Sequence, residues 1–112
     1  MKYAMLIYYE PGHTDALSEV EFKAMLGEYT ALRDDPRYIA SAELQPIETA
    51  TTVRVQDGRT LLTDGPYANT KEVFGGYYVF EADSVDDAIV LAARIPAARL
   101  GGAIEVRPLV ER

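Results

Sequence analysis

Two segments of this chain are typical of β-strands that are apolar on both faces. One is Lys2–Tyr9, and the other is Phe74–Ala82. A strand whose side chains are apolar on both faces is normally buried on both faces. Any fold for these 112 residues must therefore cover both sides of the sheet that contains the two strands.

Two other segments have helical periodicity and capping residues. A capping-box pattern at Ser18 predicts a helix from about Glu19 to Arg33, and Arg33 is the only residue that breaks its apolar stripe. A second helix is expected to begin after Ser84, with acids in its first turn, and to end before Pro96. The residues expected to form the buried stripes are Phe22, Met25, Leu26, Tyr29 and Leu32 in the first helix and Val85, Ala88, Ile89, Ala92 and Ile95 in the second.

The remaining strands are shorter. Tyr38–Leu44 is predicted to form one, and Ala103–Pro108 alternates between inward apolar and outward charged residues. Thr51–Val55 and Arg59–Thr63 flank Asp57-Gly58, which favours a tight hairpin because both turn residues tolerate positive φ.

The order of elements is strand, helix, strand, hairpin, strand, helix, strand. It predicts one α+β domain over residues 1–112, with a ferredoxin-like antiparallel sheet, two helices on one face and an inserted β-hairpin. Two helices leave the other face of the sheet without cover, although its central strands are apolar there. We therefore expect a homodimer in which two copies cover each other through the open sheet face.

The composition argues against several classes of function. The net charge is −7 and the 11 basic residues are scattered, so binding to nucleic acid is not expected. With one histidine, no cysteine and no carboxylates at ligand spacing, no metal site is predicted, and no glycine loop precedes a helix to hold a phosphate-bearing cofactor. The longest apolar run, Tyr3–Tyr9, is too short to cross a membrane and no cleavage-site pattern follows it, so a cytoplasmic protein without cofactor or membrane contact is predicted.

Reactive side chains concentrate between the hairpin and the long strand. Asp64 can act as a general acid or base if aromatic neighbours raise its pKa, or it can shape a turn with Gly65 and Pro66. Lys71 can hold an anionic substrate or form a salt bridge that pins the loop. The residue types leave these alternatives open, with Asp64 as the catalytic candidate and Lys71 as a ligand-binding candidate.

The other ligand-binding candidates are one histidine and three tyrosines. His13 is the only side chain whose ordinary pKa is near neutrality, although an exposed loop residue would fit the same pattern. Tyr8, Tyr77 and Tyr78, together with Tyr9, fall on strands expected to be neighbours, so they can line a cleft for a small, partly aromatic or lactone-like ligand. Packing in the core and in a dimer interface explains the same tyrosines without a ligand.

A family resemblance rests on the same region. Asp64-Gly65-Pro66, Lys71-Glu72 and Gly75-Gly76-Tyr77-Tyr78 together resemble the DGPF subgroup of the YCII-related proteins, although Tyr67 stands where phenylalanine is usual. The resemblance covers essentially the whole chain and implies a dimeric α+β barrel. A better-studied branch of the family is thought to use a histidine in its first helix together with an aspartate. That helix has Glu28-Tyr29 and no histidine here, so the resemblance does not extend to this chemistry.

The function of the subgroup is mostly unassigned, and the resemblance implies two alternatives. One is a cofactor-free enzyme that acts on a small organic molecule by proton transfer, with Asp64 as its acid or base. The other is a non-catalytic homodimer that binds a small ligand or a partner and is linked to sigma-factor regulation. An enzyme would lose turnover in Asp64→Asn, whereas a binding module would keep its ligand.

Overall fold

The computed structural model describes all of residues 1–112. In chain order the elements are β1 (Lys2–Tyr9), α1 (Glu19–Leu32), β2 (Tyr38–Glu43), β3 (Thr51–Gln56), β4 (Arg59–Asp64), β5 (Val73–Glu81), α2 (Val85–Ala93) and β6 (Ala103–Pro108). Short 3-10 turns follow β2 at Ile47–Thr49 and α2 at Pro96–Ala98. The boundaries lie within two residues of those expected from the sequence, because capping residues, prolines and the Asp57-Gly58 turn are local signals.

Two of these local signals appear in the structure as the sequence predicts. The hydroxyl of Ser18 accepts from the amide of Glu21 at 3.1 Å, and the Glu21 carboxylate accepts from the Ser18 amide at 3.0 Å. This capping box satisfies amides that have no partner inside the helix. At the hairpin turn, Asp57 and Gly58 have φ values of 51° and 73°, which is the left-handed region that a two-residue hairpin requires.

Four strands form one antiparallel sheet in the order β2-β5-β1-β6. The strands β1 and β5 lie at its centre and pair from Lys2↔Glu81 to Tyr9↔Val73, with one irregularity near Tyr8. Both helices pack on the same face of this sheet. This is a ferredoxin-like arrangement, so the predicted α+β fold is confirmed, with the hairpin β3–β4 inserted as a separate two-stranded sheet.

The core lies between the central strands and the two helices. Met5 and Phe80 of β1 and β5 are completely buried, as are Leu91 of α2 and Ile95 just beyond it. Leu32 closes the core from the end of α1. Each of these large apolar side chains contributes about 1.5–3 kcal/mol when it is fully buried, so this face of the sheet supplies most of the burial in the subunit.

The buried stripes of the helices are narrower than the sequence analysis predicts. In α2 the buried residues follow i, i+3, i+4 spacing at Ala88, Leu91 and Ala92, so the prediction that Val85 and Ile89 are buried is wrong. The stripe is centred one position further round the helix, which leaves those two residues at its edge.

In α1 the prediction is also wrong for two residues. Met25 and Leu32 are buried, but Phe22 and Leu26 remain exposed to 39% and 46%. Both of them border an open cleft between α1 and the sheet. The helix packs closely on the sheet only towards its C-terminal end.

The opposite face of the sheet carries the other apolar residues of the central strands. Ala4 lies opposite Val79, and Leu6 lies opposite Tyr77, on β1 and β5. These four residues, here called the open face, are partly buried by their neighbours, whereas both helices bury their apolar residues on the other side. The central strands are therefore apolar on both faces, as predicted, and the two helices of the chain cover only one of these faces.

The hairpin β3–β4 has an apolar face of its own. Val53 lies opposite Leu62, and Val55 projects on the same side by strand alternation. These three residues, here called the hairpin face, are 58–71% exposed. The radius of gyration is 16.1 Å, whereas a compact chain of this length has about 13 Å. The hairpin thus projects from the subunit, although a two-stranded hairpin alone is only marginally stable in water.

The turn after α1 contains a charge network that we expect to stabilise the fold. Asp35 accepts hydrogen bonds from the backbone and side chain of Arg37, and its Oδ2 also accepts from Arg94 at 3.1 Å. The Arg37 side chain first, then its backbone amide, and to a lesser degree Arg94, hold the pKa of Asp35 well below its ordinary value of 3.8. This network joins the end of α1 to the end of α2.

We predict that Asp35→Asn lowers the free energy of unfolding at neutral pH by about 1–2 kcal/mol, a fall of several degrees in Tm. Because the folded-state pKa of Asp35 is lower than the unfolded-state value, its contribution is present above the unfolded-state pKa and is lost as the pH falls. The difference in Tm between wild type and variant should therefore shrink below about pH 4. Asp34→Asn is the matched control, and an equal loss in both variants would contradict the prediction.

Candidate functional site

A cleft opens between one side of α1 and one end of the sheet. Its volume is about 620 Å³, which is within the range of small-molecule sites. Four segments form its walls: the loop after β1, the inner side of α1, the end of β2 with the loop that follows, and the start of β5. The residues that line it include Tyr9, His13, Tyr29, Arg33, Glu43, Gly75, Gly76 and Tyr78.

Two glycines at the start of β5 make room for the cleft. The register of β1 and β5 skips one residue, so that Ile7 lies opposite Gly76 and Tyr8 opposite Phe74. Gly75 is the extra residue of this bulge, and a Cβ atom on it would overlap the ring of Tyr9. A Cβ atom on Gly76 would lie only 2.7 Å from the backbone oxygen of Ala42. Both positions therefore need glycine because of close approach, one by an aromatic ring and the other by a neighbouring strand.

Tyr9 forms an aromatic stack with His13. The ring centroids are 4.1 Å apart and the planes differ by 16°. A turn in which the His13 amide donates to the Glu10 carbonyl at 3.1 Å returns the loop over the end of β1. Burial lowers the pKa of His13 and raises the pKa of Tyr9, to which the charge of Glu43 adds. At neutral pH His13 is therefore an uncharged base in the wall of the cleft.

A second aromatic pair forms the deeper part of the cleft. The rings of Tyr29 and Tyr78 are nearly parallel, with centroids 6.4 Å apart. The hydroxyl of Tyr78 donates to the backbone oxygen of Tyr29 at 2.8 Å, which ties α1 to β5. Burial raises the pKa of Tyr78 to about 12 and also raises that of Tyr29. Both phenols stay protonated; the single hydrogen of the Tyr78 hydroxyl is used on Tyr29, so the Tyr29 hydroxyl is the one that can donate to another group.

Two oppositely charged residues in the cleft walls have no ionic partner within the subunit. Glu43 ends β2, opposite Gly76 of β5, and Arg33 caps the C-terminus of α1. Every ion pair of the structure involves other residues. Glu43 and Arg33 act in opposite directions on the pKa of Tyr78, so both charges lie near its hydroxyl group.

The cleft contains three of the six residues that the sequence analysis singles out. His13, Tyr77 and Tyr78 line it. Tyr8 lies outside it and packs against Phe74, with ring centroids 5.6 Å apart. Lys71 also lies outside it, and its amine forms a salt bridge with Glu10 at 3.1 Å. This ion pair joins the loop before β5 to the end of β1, but both side chains are largely exposed, so its contribution to stability is small.

Asp64 ends β4, is exposed and does not line the cleft of its own subunit. The turn that follows is anchored at the base of the hairpin. The Gly65 amide donates to the backbone oxygen of Ala50 at 2.8 Å, and Thr52 Oγ1 donates to the Gly65 carbonyl at 2.8 Å. Asp64 lies on the hairpin face with Leu62 by strand alternation.

The sequence analysis did not assign Tyr29, Arg33 and Glu43 to a ligand site. One signal was present, because Arg33 is the only charged residue in the apolar stripe of α1. An interruption of this kind either lies at the helix end, as here, or faces a polar space. Glu43 gave no comparable signal, because a single acid at the end of a short strand is ordinary.

The geometry does not bring together a metal-binding group. No three His, Asp or Glu side chains lie close enough to one another to hold a metal ion. None of the helices is long and apolar enough to cross a membrane.

Fold and cleft together define a ferredoxin-like α+β protein with an aromatic cleft at one end of the sheet. The model of the YCII-related domain matches residues 1–112. The chain is also 33% identical over 116 aligned residues to an uncharacterised protein of Rhizobium meliloti (strain 1021), with 97% of this chain and 92% of that protein covered. The chain belongs to the YCII-related family.

We predict opposite effects for alanine at two glycines. Gly75→Ala places a Cβ atom in the space of the Tyr9 ring and should lower the free energy of unfolding by about 1–3 kcal/mol. Gly27→Ala is the matched control, because its Cβ atom meets nothing within 4 Å and helical alanine should raise stability by about 0.5–1 kcal/mol. Thermal unfolding measures both. In a Tyr9→Ala background the penalty at Gly75 should disappear, and a penalty that persists would contradict the proposed overlap.

Proposed function

We propose that this protein is a homodimeric enzyme that binds a small organic molecule in the cleft and transfers a proton to or from it. The observation that carries the proposal is the His13–Tyr9 stack, which puts an uncharged imidazole into an apolar, aromatic wall. A base with a pKa at or below the working pH can accept a proton from a bound ligand. The hydroxyl groups of Tyr9 and Tyr29 supply donors for an oxygen atom that gains negative charge.

The homodimer part of the proposal rests on two uncovered apolar surfaces. The open face and the hairpin face together leave residues of the central strands and of β3–β4 without a partner in one subunit. Exposed apolar surfaces of this extent mark interaction sites, and a two-fold contact places the same surface of each copy at the interface. A second copy covers both without any further element.

The proposed role of Asp64 depends on this dimer. Asp64 lies on the hairpin face, so a subunit that packs against Val53, Val55 and Leu62 also approaches its carboxylate. A carboxyl group held at such an interface, close to a ligand in the cleft of the other copy, would be placed for acid–base chemistry. In this proposal His13 is the base within the cleft, and Asp64 acts only in the assembled dimer. The assignment of the chain to the DGPF subgroup stays a prediction from the Asp64-Gly65-Pro66 motif.

The alternative is a homodimer that binds a small ligand or a protein partner without catalysis, as in a role in sigma-factor regulation. One observation favours it: no carboxylate is hydrogen-bonded to the His13 ring, whereas catalytic histidines are commonly oriented by such a group. A binding site needs no such orientation.

We predict that small phenols, lactones or organic acids include a ligand that raises Tm and exchanges a proton with solvent. A ligand at about 100 times its Kd adds about 2.7 kcal/mol to stability, which thermal unfolding detects. Deuterium incorporation into that ligand in D2O, followed by NMR, measures proton transfer directly. His13→Gln should keep binding and slow exchange by about 100-fold or more.

Asp64→Asn separates the two carboxylate roles in the same assay. Slower exchange with unchanged binding would support Asp64 as a catalytic residue, and unchanged exchange with a lower Tm would assign it to the turn. A ligand that binds without any exchange in the wild type would favour the non-catalytic alternative.

We predict that the protein sediments as a dimer at micromolar concentration. Leu6→Asp puts a charge in the centre of the open face and should yield monomers or aggregates, because a buried unpaired charge is strongly unfavourable. Val20→Asp is the matched control, because Val20 is 78% exposed on α1, away from both apolar surfaces. A monomeric wild type would contradict the homodimer proposal.

A further inference from the structure

The charges of the cleft indicate what kind of small molecule it accepts. Three carboxylates line it, at Asp15, Glu43 and Glu48, against one guanidinium at Arg33. His13 adds no charge at neutral pH because burial lowers its pKa. The surplus is negative, so a ligand that brings a positive charge meets a favourable field.

We propose that the cleft binds a small aromatic amine, with the ammonium group at Glu43 and the ring between the tyrosines. This inference rests on the proposed small-molecule function of the cleft and adds the charge and the shape of the ligand. It does not depend on whether proton transfer follows binding.

Glu43 is the residue best placed to hold the ammonium group. Its carboxylate takes part in none of the ion pairs or side-chain hydrogen bonds of the structure, so its negative charge is available. Glu43 lies opposite Gly76 in the pairing of β2 with β5, and the close approach of the two backbones there holds Glu43 at the edge of the cleft.

Tyrosines from three other elements line the same cleft as this charge. After burial itself, Glu43 is among the causes that raise the pKa of Tyr9, Tyr29 and Tyr78. These residues belong to β1, α1 and β5, and all three line the same cleft as Glu43 of β2. Aromatic faces attract an organic cation as well as an apolar ring, and the effect grows when the site excludes water. An aromatic amine whose ammonium group pairs with Glu43 and whose ring packs on the tyrosines matches both the surplus negative charge and the aromatic lining of the cleft.

Arg33 is the one feature that favours an anion instead. It lies at the opposite end of α1 from the loop of His13, and its charge lowers the pKa of Tyr78. A carboxylate ligand would have to use Arg33 while it approaches three carboxylates of the cleft. For this reason the amine is favoured over the acid, and a carboxylate with the same ring is the direct comparison.

The test uses four probes that share a para-substituted phenyl ring and differ in charge. They are tyramine, tyrosine, 4-hydroxyphenylacetate and the uncharged p-cresol, titrated into the wild-type protein with binding followed by calorimetry and by NMR of the cleft residues. We expect tyramine to bind more tightly than p-cresol, and 4-hydroxyphenylacetate to bind more weakly than p-cresol.

Three variants assign the charge selectivity. Glu43→Gln should weaken tyramine binding by about tenfold or more, as for the loss of a charge-assisted hydrogen bond, and leave p-cresol binding unchanged. Glu48→Gln removes another cleft carboxylate as a matched control, and Arg33→Gln removes the competing cation. Both should keep the preference for tyramine. Retained p-cresol binding also shows that the Glu43→Gln variant is folded.

Each outcome decides between the inference and the function on which it rests. Tyramine binding that is equal in wild type and Glu43→Gln, or a preference for 4-hydroxyphenylacetate that Arg33→Gln abolishes, would overturn the amine inference and leave the cleft as a ligand site. Binding of p-cresol alone would overturn it in the same way. If none of the four probes perturbs the cleft residues, both the amine inference and the proposed small-molecule function fail.

Discussion

The pairing of β1 with β5 is the interaction on which the rest of the structure depends. These two strands form the centre of the sheet, and each has apolar residues on both faces. On one face, Met5 and Phe80 are completely buried beneath the helices. On the other face, the same pairing aligns Leu6 with Tyr77 and leaves them only partly covered. The core and the partly covered open face therefore both result from the pairing of β1 with β5.

The cleft results from an irregularity in that same pairing. Gly75 is inserted opposite β1, and because it has no side chain the ring of Tyr9 can lie across the strand. Tyr9 in turn supports His13 by stacking. Glycine inside a strand normally weakens it. The two adjacent glycines are needed here because the Tyr9 ring lies against Gly75 and the backbone of Ala42 lies against Gly76. The strands that build the core also end in the walls of the cleft, which keeps the site on a rigid frame.

Local and non-local information differ sharply in what they predicted. The helices, the hairpin and the strand boundaries follow from caps, prolines and alternation, which act over a few residues. Phe22 and Ile89 were wrongly expected to be buried, because a helical stripe does not show how far a helix stands from the sheet. Glu43 and Arg33 escaped notice as site residues for a related reason. They are ten positions apart on different elements, and only the packing of α1 beside β2 brings them to one cleft.

The sequence by itself determined the order of the elements, the ferredoxin-like class and the presence of an apolar face without cover. These features depend on periodicity and on turn residues, which are properties of short segments. The tertiary structure alone decided which of the candidate residues lie together in the cleft. It separated Asp64 from the cleft and put His13 against Tyr9, and it brought Glu43, Tyr29 and Tyr78 to the walls of one cleft. Such contacts join residues from four elements, and their distances are set by the sheet register and by the glycine bulge rather than by spacing along the chain.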